Sequence, residues 1–440
     1  MTKGEIKMYD VFSIPDFKFP KDFLWGSATA GHQIEGNNVN SDRWHMEHEE
    51  GFLCDPTRAV SGMACNHYEM YKEDIDLLAS LGHKAYRMTV EWSRIQPDAN
   101  TFDQEVVDHY LDELTRLKEK GIQVYMTIHH LCHPQWFEEL GGFNTMDNMP
   151  YWEKYLEFIV PKIAPFVDSW NVMNEFNLGL GDARIDFKIN MVRYHARGYH
   201  IIKQYSDKPV STAHACVMYQ PKRYYDKFDN MMTDYFDWTA HEFFFNAIRT
   251  GEIVMPFRDA VYDKEVKDTM DYWAVNIYTR TMMDSRRKEG FGTRYEHKLL
   301  KLLPMDFSHE EMFPENIIGF LNRLKDKPVY ITENGCTCYD DRFRIVYLTL
   351  YLNALHEAIK MGVDVKGYLY WSFMDNYEWK TFIPRFGLVN VDFDTFERTP
   401  KPSAYFYKEI IENNGITQEM LRRYLTELPT REKSVNELFK

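Results

Sequence analysis

The sequence predicts an α/β protein built as a (β/α)8 barrel, and three observations predict it. A helix–glycine–strand unit recurs, eight short apolar runs read as strands, and no linker, low-complexity tract or composition break divides them. The first unit covers 67–82, where Tyr71, Ile75, Leu78 and Leu81 recur at helical spacing, Gly82 is the stop and HKAYRMTV follows. In the second, 104–121, Val107, Tyr110, Leu111, Leu114 and Leu117 share one face, Gly121 is the stop and IQVYMTI follows. The third, 346–362, stops at Gly362 before VDVKGYLYWS. Helix, glycine and short apolar strand make the αβ half of a βαβ unit. Five further runs supply strands at 23–29, 167–173, 209–215, 271–278 and 327–332. Runs apolar on both faces suit a parallel sheet covered by helices. A doubly wound open sheet is the competing arrangement, and no glycine-rich phosphate fingerprint supports it. The whole of 1–440 reads as one barrel domain, with an N-terminal arm over about 1–18 and a C-terminal tail over about 414–440. A plain barrel needs only about 250 residues, so the surplus is expected in long βα loops that wall a deep pocket.

Composition narrows the class of partner. With 44% hydrophobic and 16% aromatic residues, the 440-residue chain can bury a large core. Its net charge of −15 argues against nucleic acid and against an anionic membrane, which both need a basic footprint. No apolar run approaches the roughly 18 residues of a membrane span, and the first residues lack the apolar core of a secretory signal. The six cysteines (Cys54, Cys65, Cys132, Cys216, Cys336, Cys338) are too sparse for a disulfide framework and fit a cytoplasmic setting.

The strand ends carry the chemistry. Gln33 and Glu35 follow the first strand, and Arg87 lies in the second. His129 and His130 close the third, Asn174 and Glu175 the fourth, Asn276 and Tyr278 the sixth, and Glu333 the seventh. Trp371, Glu378 and Trp379 come with the eighth. In a barrel these ends meet at one face, where active sites form. Two glutamates across an aromatic-lined pocket are the minimum machinery for cleaving a glycosidic bond. One carboxyl donates a proton to the leaving oxygen, and the other attacks the anomeric carbon or activates water. Arg87 and Tyr278 are expected to hold Glu333 ionised, while partial burial and a negative neighbour raise Glu175. Asn174, Gln33, His130 and Glu378 can bind sugar hydroxyls, and Trp371 and Trp379 offer flat apolar faces. Asn276 is a further substrate-binding candidate. Glu35 and Arg94 read as a scaffold pair. His129, His130, Cys132 and His133, with Cys336 and Cys338, match no tetrahedral zinc spacing and read as packing residues and thiols.

The stretches FLWGSATAGHQIEG, WNVMNE, YITENG and YLYWSFMDNYEW, with RFGLV and RTPKPSA beyond them, resemble the motifs of glycoside hydrolase family 1, the β-glucosidase-like retaining enzymes. The resemblance runs from about Phe19 to Lys408 and keeps the family's order. It implies Glu175 as acid/base and Glu333 as nucleophile, with Arg87 and Tyr278 contacting the nucleophile. It implies sugar binding by Gln33, His130, Asn174, Glu378 and Trp379, with Trp371 as platform. It also implies that no metal or organic cofactor is needed and that the substrate is a small β-glycoside or an oligosaccharide. Members often carry His-Trp-Asp-Leu-Pro where this chain has His130-Leu131-Cys132-His133-Pro134, so the indole that often flanks the sugar is missing. Phe176-Asn177 follow Glu175 in place of the frequent proline. Two other readings compete. One is a silent carbohydrate-binding barrel. The other is a 6-phospho-β-glycosidase, supported by Lys380 and Arg385 and opposed by Glu378, whose charge would repel a phosphate.

Overall fold

The computed structural model describes residues 10–179, 184–286 and 312–429. Eight strands close into one barrel: β1 Leu24–Ala28, β2 Ala85–Thr89, β3 Gln123–His129, β4 Ser169–Asn174, β5 Val210–Ala215, β6 Trp273–Asn276, β7 Val329–Asn334 and β8 Val365–Trp371. Each pairs in parallel with its neighbours in chain order, and β8 returns to β1. All eight expected strands are present. Every residue of β2, β4, β5 and β6 is buried, as strands with covered faces require. At Gly26 in β1 a Cβ would stand 2.1 Å from the Ala85 carbonyl oxygen, so only glycine admits this approach of β1 to β2.

One main helix follows each strand: α1 His67–Ser80, α2 Gln104–Glu119, α3 Met149–Ile163, α4 Ile185–Tyr205, α5 Phe243–Thr250, α6 Glu315–Leu321, α7 Arg342–Lys360 and α8 Pro402–Asn413. The three stop glycines take left-handed φ values of +81°, +70° and +90° at Gly82, Gly121 and Gly362. Helix α2 begins where Asp103 accepts hydrogen bonds from the amides of Glu105 and Val106 (3.0 and 3.2 Å).

Helix α7 starts four residues before the expected position. The first turn includes Arg344, which is fully buried, paired with Asp341 and donating to the Tyr370 hydroxyl at 3.0 Å. The arm and the tail are knitted together: Phe17–Lys18 pairs antiparallel with Gly415–Ile416, and Trp25 Nε1 donates to Asn414 Oδ1 at 2.9 Å. The surplus length does lie on the βα side, chiefly between β1 and α1, β5 and α5, β6 and α6, and β8 and α8. Most of the 281–310 stretch read as an outer wall lies outside the described residues. Among those described, no helix is long and apolar enough to cross a membrane.

Candidate active site

The C-terminal ends of the strands gather the polar residues at one mouth. Glu333 stands near the end of β7, and the chain beyond it is pressed against β8: a Cβ on Gly335 would fall 1.7 Å from the Trp371 carbonyl oxygen. Arg87, fully buried in β2, ties four strands together. Its Nη1 pairs with Glu333, its Nη2 donates to Asn174 Oδ1 at 2.6 Å, and its Nε donates to Thr127 Oγ1 at 2.9 Å. Tyr278 donates its hydroxyl to the other Glu333 oxygen at 2.8 Å.

Glu175, just past β4, takes a left-handed φ of +50°, a conformation that a non-glycine residue holds only when its surroundings fix it. Its amide donates to the Ala213 carbonyl at 2.8 Å. The Asn276 side-chain amide donates to both Glu175 Oε1 and Asn174 Oδ1 at 2.9 Å, and its oxygen accepts from Thr332 Oγ1 at 2.7 Å. Both ends of this amide are thus used inside the protein. Asn276, expected to bind substrate, stands between Glu175 and Asn174 and holds both through its amide. Asn177 was missed by sequence reasoning. Its Nδ2 faces His214 Nε2 (3.2 Å) and donates to the Ala215 and Ala240 carbonyls (2.9 and 3.1 Å), and its oxygen accepts the Ala215 amide at 3.1 Å. It locks the turn after Glu175 to β5. A lone Asn beside a motif carries no signal that would have found it.

Around this pair lie the other expected residues. Gln33 spends both donors on Asn376 Oδ1 (3.0 Å) and the Tyr377 carbonyl (2.8 Å), and its buried oxygen has no partner among the described residues. Asn174 Nδ2 donates to His130 Nε2 at 3.1 Å, which leaves the proton of the neutral ring on Nδ1, itself without a partner among the described residues. Burial, with Arg87 nearby, holds His130 well below its ordinary value, so it stays neutral. The His130 ring lies nearly parallel to Trp371 and Trp379, 5.9 Å from each. Trp371 is almost fully buried and donates Nε1 to Glu378 Oε1 at 3.1 Å; Trp379 is half-buried.

Arg87 and Tyr278 do contact Glu333, but burial outweighs them, and the carboxyl is raised above its usual range while Arg87, Tyr278 and Asn276 pull it back. Tyr278 is pushed far up by burial and by Glu333, so it remains a neutral donor. Burial pushes Glu378 up to about 8; the Trp371 bond opposes this and the Glu333 charge adds to it. A neutral Glu378 would not repel a phosphate, so that objection to a phosphorylated sugar weakens. Arg385, however, lies over Phe393 and 3.8 Å from Asp375.

The scaffold pair is present, with Arg94 Nε donating to Glu35 Oε2 at 2.6 Å. His129 and His133 face each other at 3.3 Å, His133 reaches Glu138 at 2.9 Å, and Asn38 points at Cys132 Sγ (3.5 Å). Cys336 and Cys338 are buried. Among the described residues, no group of three His, Cys, Asp or Glu side chains is placed to hold a metal.

Comparison with known proteins agrees with this geometry. The profile described as Glycosyl hydrolase family 1 matches residues 16–416. Beta-glucosidase A of Thermotoga maritima is 30% identical over 91% of this chain and 99% of its own length. A beta-galactosidase of Saccharolobus solfataricus is 29% identical over 92% of this chain and 97% of its own. The structure of a beta-glycosidase from Pyrococcus horikoshii superposes with a TM-score of 0.84 at 33% identity, covering 93% of this chain and 98% of that one. A match that runs from the paired N-terminal arm to the strand that pairs with it leaves one assignment: the chain belongs to glycosyl hydrolase family 1 and is a glycoside hydrolase.

Proposed function

We propose that the protein is a retaining β-glycosidase of the β-glucosidase type, acting at non-reducing terminal β-linked sugars, with Glu333 as nucleophile and Glu175 as acid/base. The observation that carries this reading is the pairing of the two carboxylates. Glu333 is held by a guanidinium and a phenol, while Glu175 is aimed by Asn276 from a strained backbone. In the first step the Glu333 carboxylate bonds to the anomeric carbon, the glycosidic C–O bond breaks, and the Glu175 proton goes to the departing oxygen. In the second, water attacks the same carbon, gives its proton to Glu175 and displaces Glu333, so the β configuration is kept. The open Gln33 oxygen and the His130 Nδ1–H would accept from and donate to sugar hydroxyls. Glu378 and Trp379 would complete the sugar site, with Trp371 behind them. Because Glu333 must be ionised and its carboxyl is raised, the acid limb of activity should lie above the ordinary carboxylate range. The chain acts as one catalytic unit, and its six free thiols fit a reducing, cytoplasmic setting.

The test is hydrolysis of aryl β-glycosides of gluco, galacto, fuco and 6-phosphogluco type by the native protein and by Glu333→Ala. Turnover of an unphosphorylated glycoside should fall at least about a thousandfold in the variant. Undiminished turnover would remove Glu333 from its role. Turnover of the phosphorylated sugar alone would favour the 6-phospho reading, and none by the folded native protein would favour a binding barrel.

A further inference from the structure

Leu131 stands beside Trp379 with a φ of +59°, and its short side chain leaves a cavity of about 120 Å3 between them. Arg43, Met46, Glu47 and Lys380 complete the wall. Three of these residues, Arg43, Met46 and Leu131, also border a second cleft of about 350 Å3. That cleft runs between the loop after β3 and the start of α4 and reaches Asn174 and Phe176 beside Glu175. The two spaces are therefore neighbours around Leu131, and the larger is bordered by Asn174 of the sugar site. The larger lies in the range of small-molecule sites, roughly 300–1,000 Å3.

The lining of the cleft selects its occupant. Asp42, Glu49 and Glu138 line it together with Arg43 and Arg184, and pairs within the wall take up charge of both signs, Arg43 with Asp42 (3.5 Å) and His133 with Glu138 (2.9 Å). Gln135 and Asn144 add amides, and Phe143 and Phe187 add flat apolar surface. Two polar atoms of lining residues have no partner among the described residues: Nδ1 of His129, which is 5% exposed, and Nε of Arg184, whose guanidinium lies 3.8 Å from the Phe187 ring centroid. Planar polar groups of both signs, unspent donors and aromatic faces suit a neutral polyhydroxylated ring.

We propose that this cleft is a side subsite for a second sugar carried by the sugar at Glu175 and Glu333, so that the enzyme releases intact disaccharides from branched or substituted β-glycosides. The proposal rests on the glycosidase reading and extends it to a substrate class. In the step proposed, the bond between the inner sugar and the aglycone breaks. Water supplies hydroxyl to the anomeric carbon and a proton to the leaving oxygen, and the bond between the two sugars stays whole.

The probes are p-nitrophenyl β-glucoside and the p-nitrophenyl β-glycosides of four glucose disaccharides, joined through O2, O3, O4 or O6 of the inner ring. At least one disaccharide glycoside should yield p-nitrophenol and intact disaccharide, with kcat/KM within about tenfold of the monosaccharide. Leu131→Trp, which fills the passage, should lower kcat/KM on that substrate at least about tenfold and leave the monosaccharide within about twofold. Arg184→Ala, at the far end, should raise KM for the disaccharide glycoside alone, and it decides the matter if Leu131→Trp does not fold. The proposal is overturned if every disaccharide glycoside is trimmed to glucose first or left uncut while the monosaccharide is hydrolysed. It is equally overturned if the folded variants keep the native preference between the two substrates. Absence of turnover on the monosaccharide too would strike the glycosidase reading itself, and the side subsite with it.

Discussion

Two sets of carboxylates meet opposite fates in this molecule. On the flank of the barrel, burial alone would raise Asp74, but His67 (2.8 Å) and Arg398 (2.8 and 2.9 Å) hold it below its ordinary value. His67 reaches Glu113 with its other nitrogen at 3.1 Å, and the two acids overcome burial to push the imidazole up to about 10. At the mouth, Glu333 has one guanidinium and stays raised, and Glu378 has an indole N–H and rises to about 8. Both sets are desolvated, so the supply of donors and cations decides the outcome. A carboxylate between two cations is fixed in one state and serves as structure. One that is undersupplied can change protonation or accept a hydrogen bond from a ligand, which is what catalysis requires.

The comparison breaks first if the flank is not structural. Asp74→Ala leaves His67 and Arg398 as buried cations short of a partner, and should cost about 3–5 kcal/mol in urea unfolding. kcat/KM per folded molecule should stay within about twofold. The same melts over pH carry a sign. His67 is raised from 6.5 to about 10 on folding, so its contribution is full below about pH 6.5 and is lost as pH rises through 10. Asp74 is depressed, so its contribution is present above its unfolded value and is lost in acid. Unchanged stability in Asp74→Ala, or a kcat loss without a stability loss, would dissolve the distinction between flank and mouth.

A smaller effect tests whether the mouth is tuned from behind. Asn177 anchors the turn that follows Glu175. In Asn177→Ala a misplaced Glu175 should lower kcat/KM about tenfold on alkyl β-glycosides, whose leaving groups need a proton, and less than about threefold on dinitrophenyl glycosides, whose leaving groups do not. Equal losses on both would make Asn177 a packing residue only.

Three strands were legible because the helices before them end at glycines whose positive φ only a few residues tolerate, and the polar strand ends were legible because a barrel must bring them together. Other features were not. The first turn of α7 was hidden, because the partners Asp341 and Tyr370 that make Arg344 core are brought to it only by the fold. The hold of Asn276 on Glu175 was hidden, because nothing in the sequence reveals that Thr332 and Glu175 meet the two ends of its amide. The ionisation of Glu333 was read from its neighbours, and desolvation, which opposes them, depends on depth that only the fold supplies. The consequence of Leu131 was equally hidden: a missing indole is a gap in a motif until the walls around it are placed.

The gentlest test concerns Glu378. With its carboxyl pushed up to about 8, it is mostly protonated at neutral pH, and glutamine is then close to its isostere. Glu378→Gln should therefore bind a glycoside at pH 6 with KM within about threefold of the native protein. As pH rises through 8 the native acid ionises, and a carboxylate accepts a sugar hydroxyl more strongly than a neutral carboxyl does. KM of the native protein should fall about fivefold across that interval, while the variant, with nothing to titrate there, stays flat. A step that survives in Glu378→Gln would belong to another group. A flat profile in both proteins would mean that Glu378 is as firmly held as Asp74 on the flank, and that the undersupply separating mouth from flank stops at Glu333.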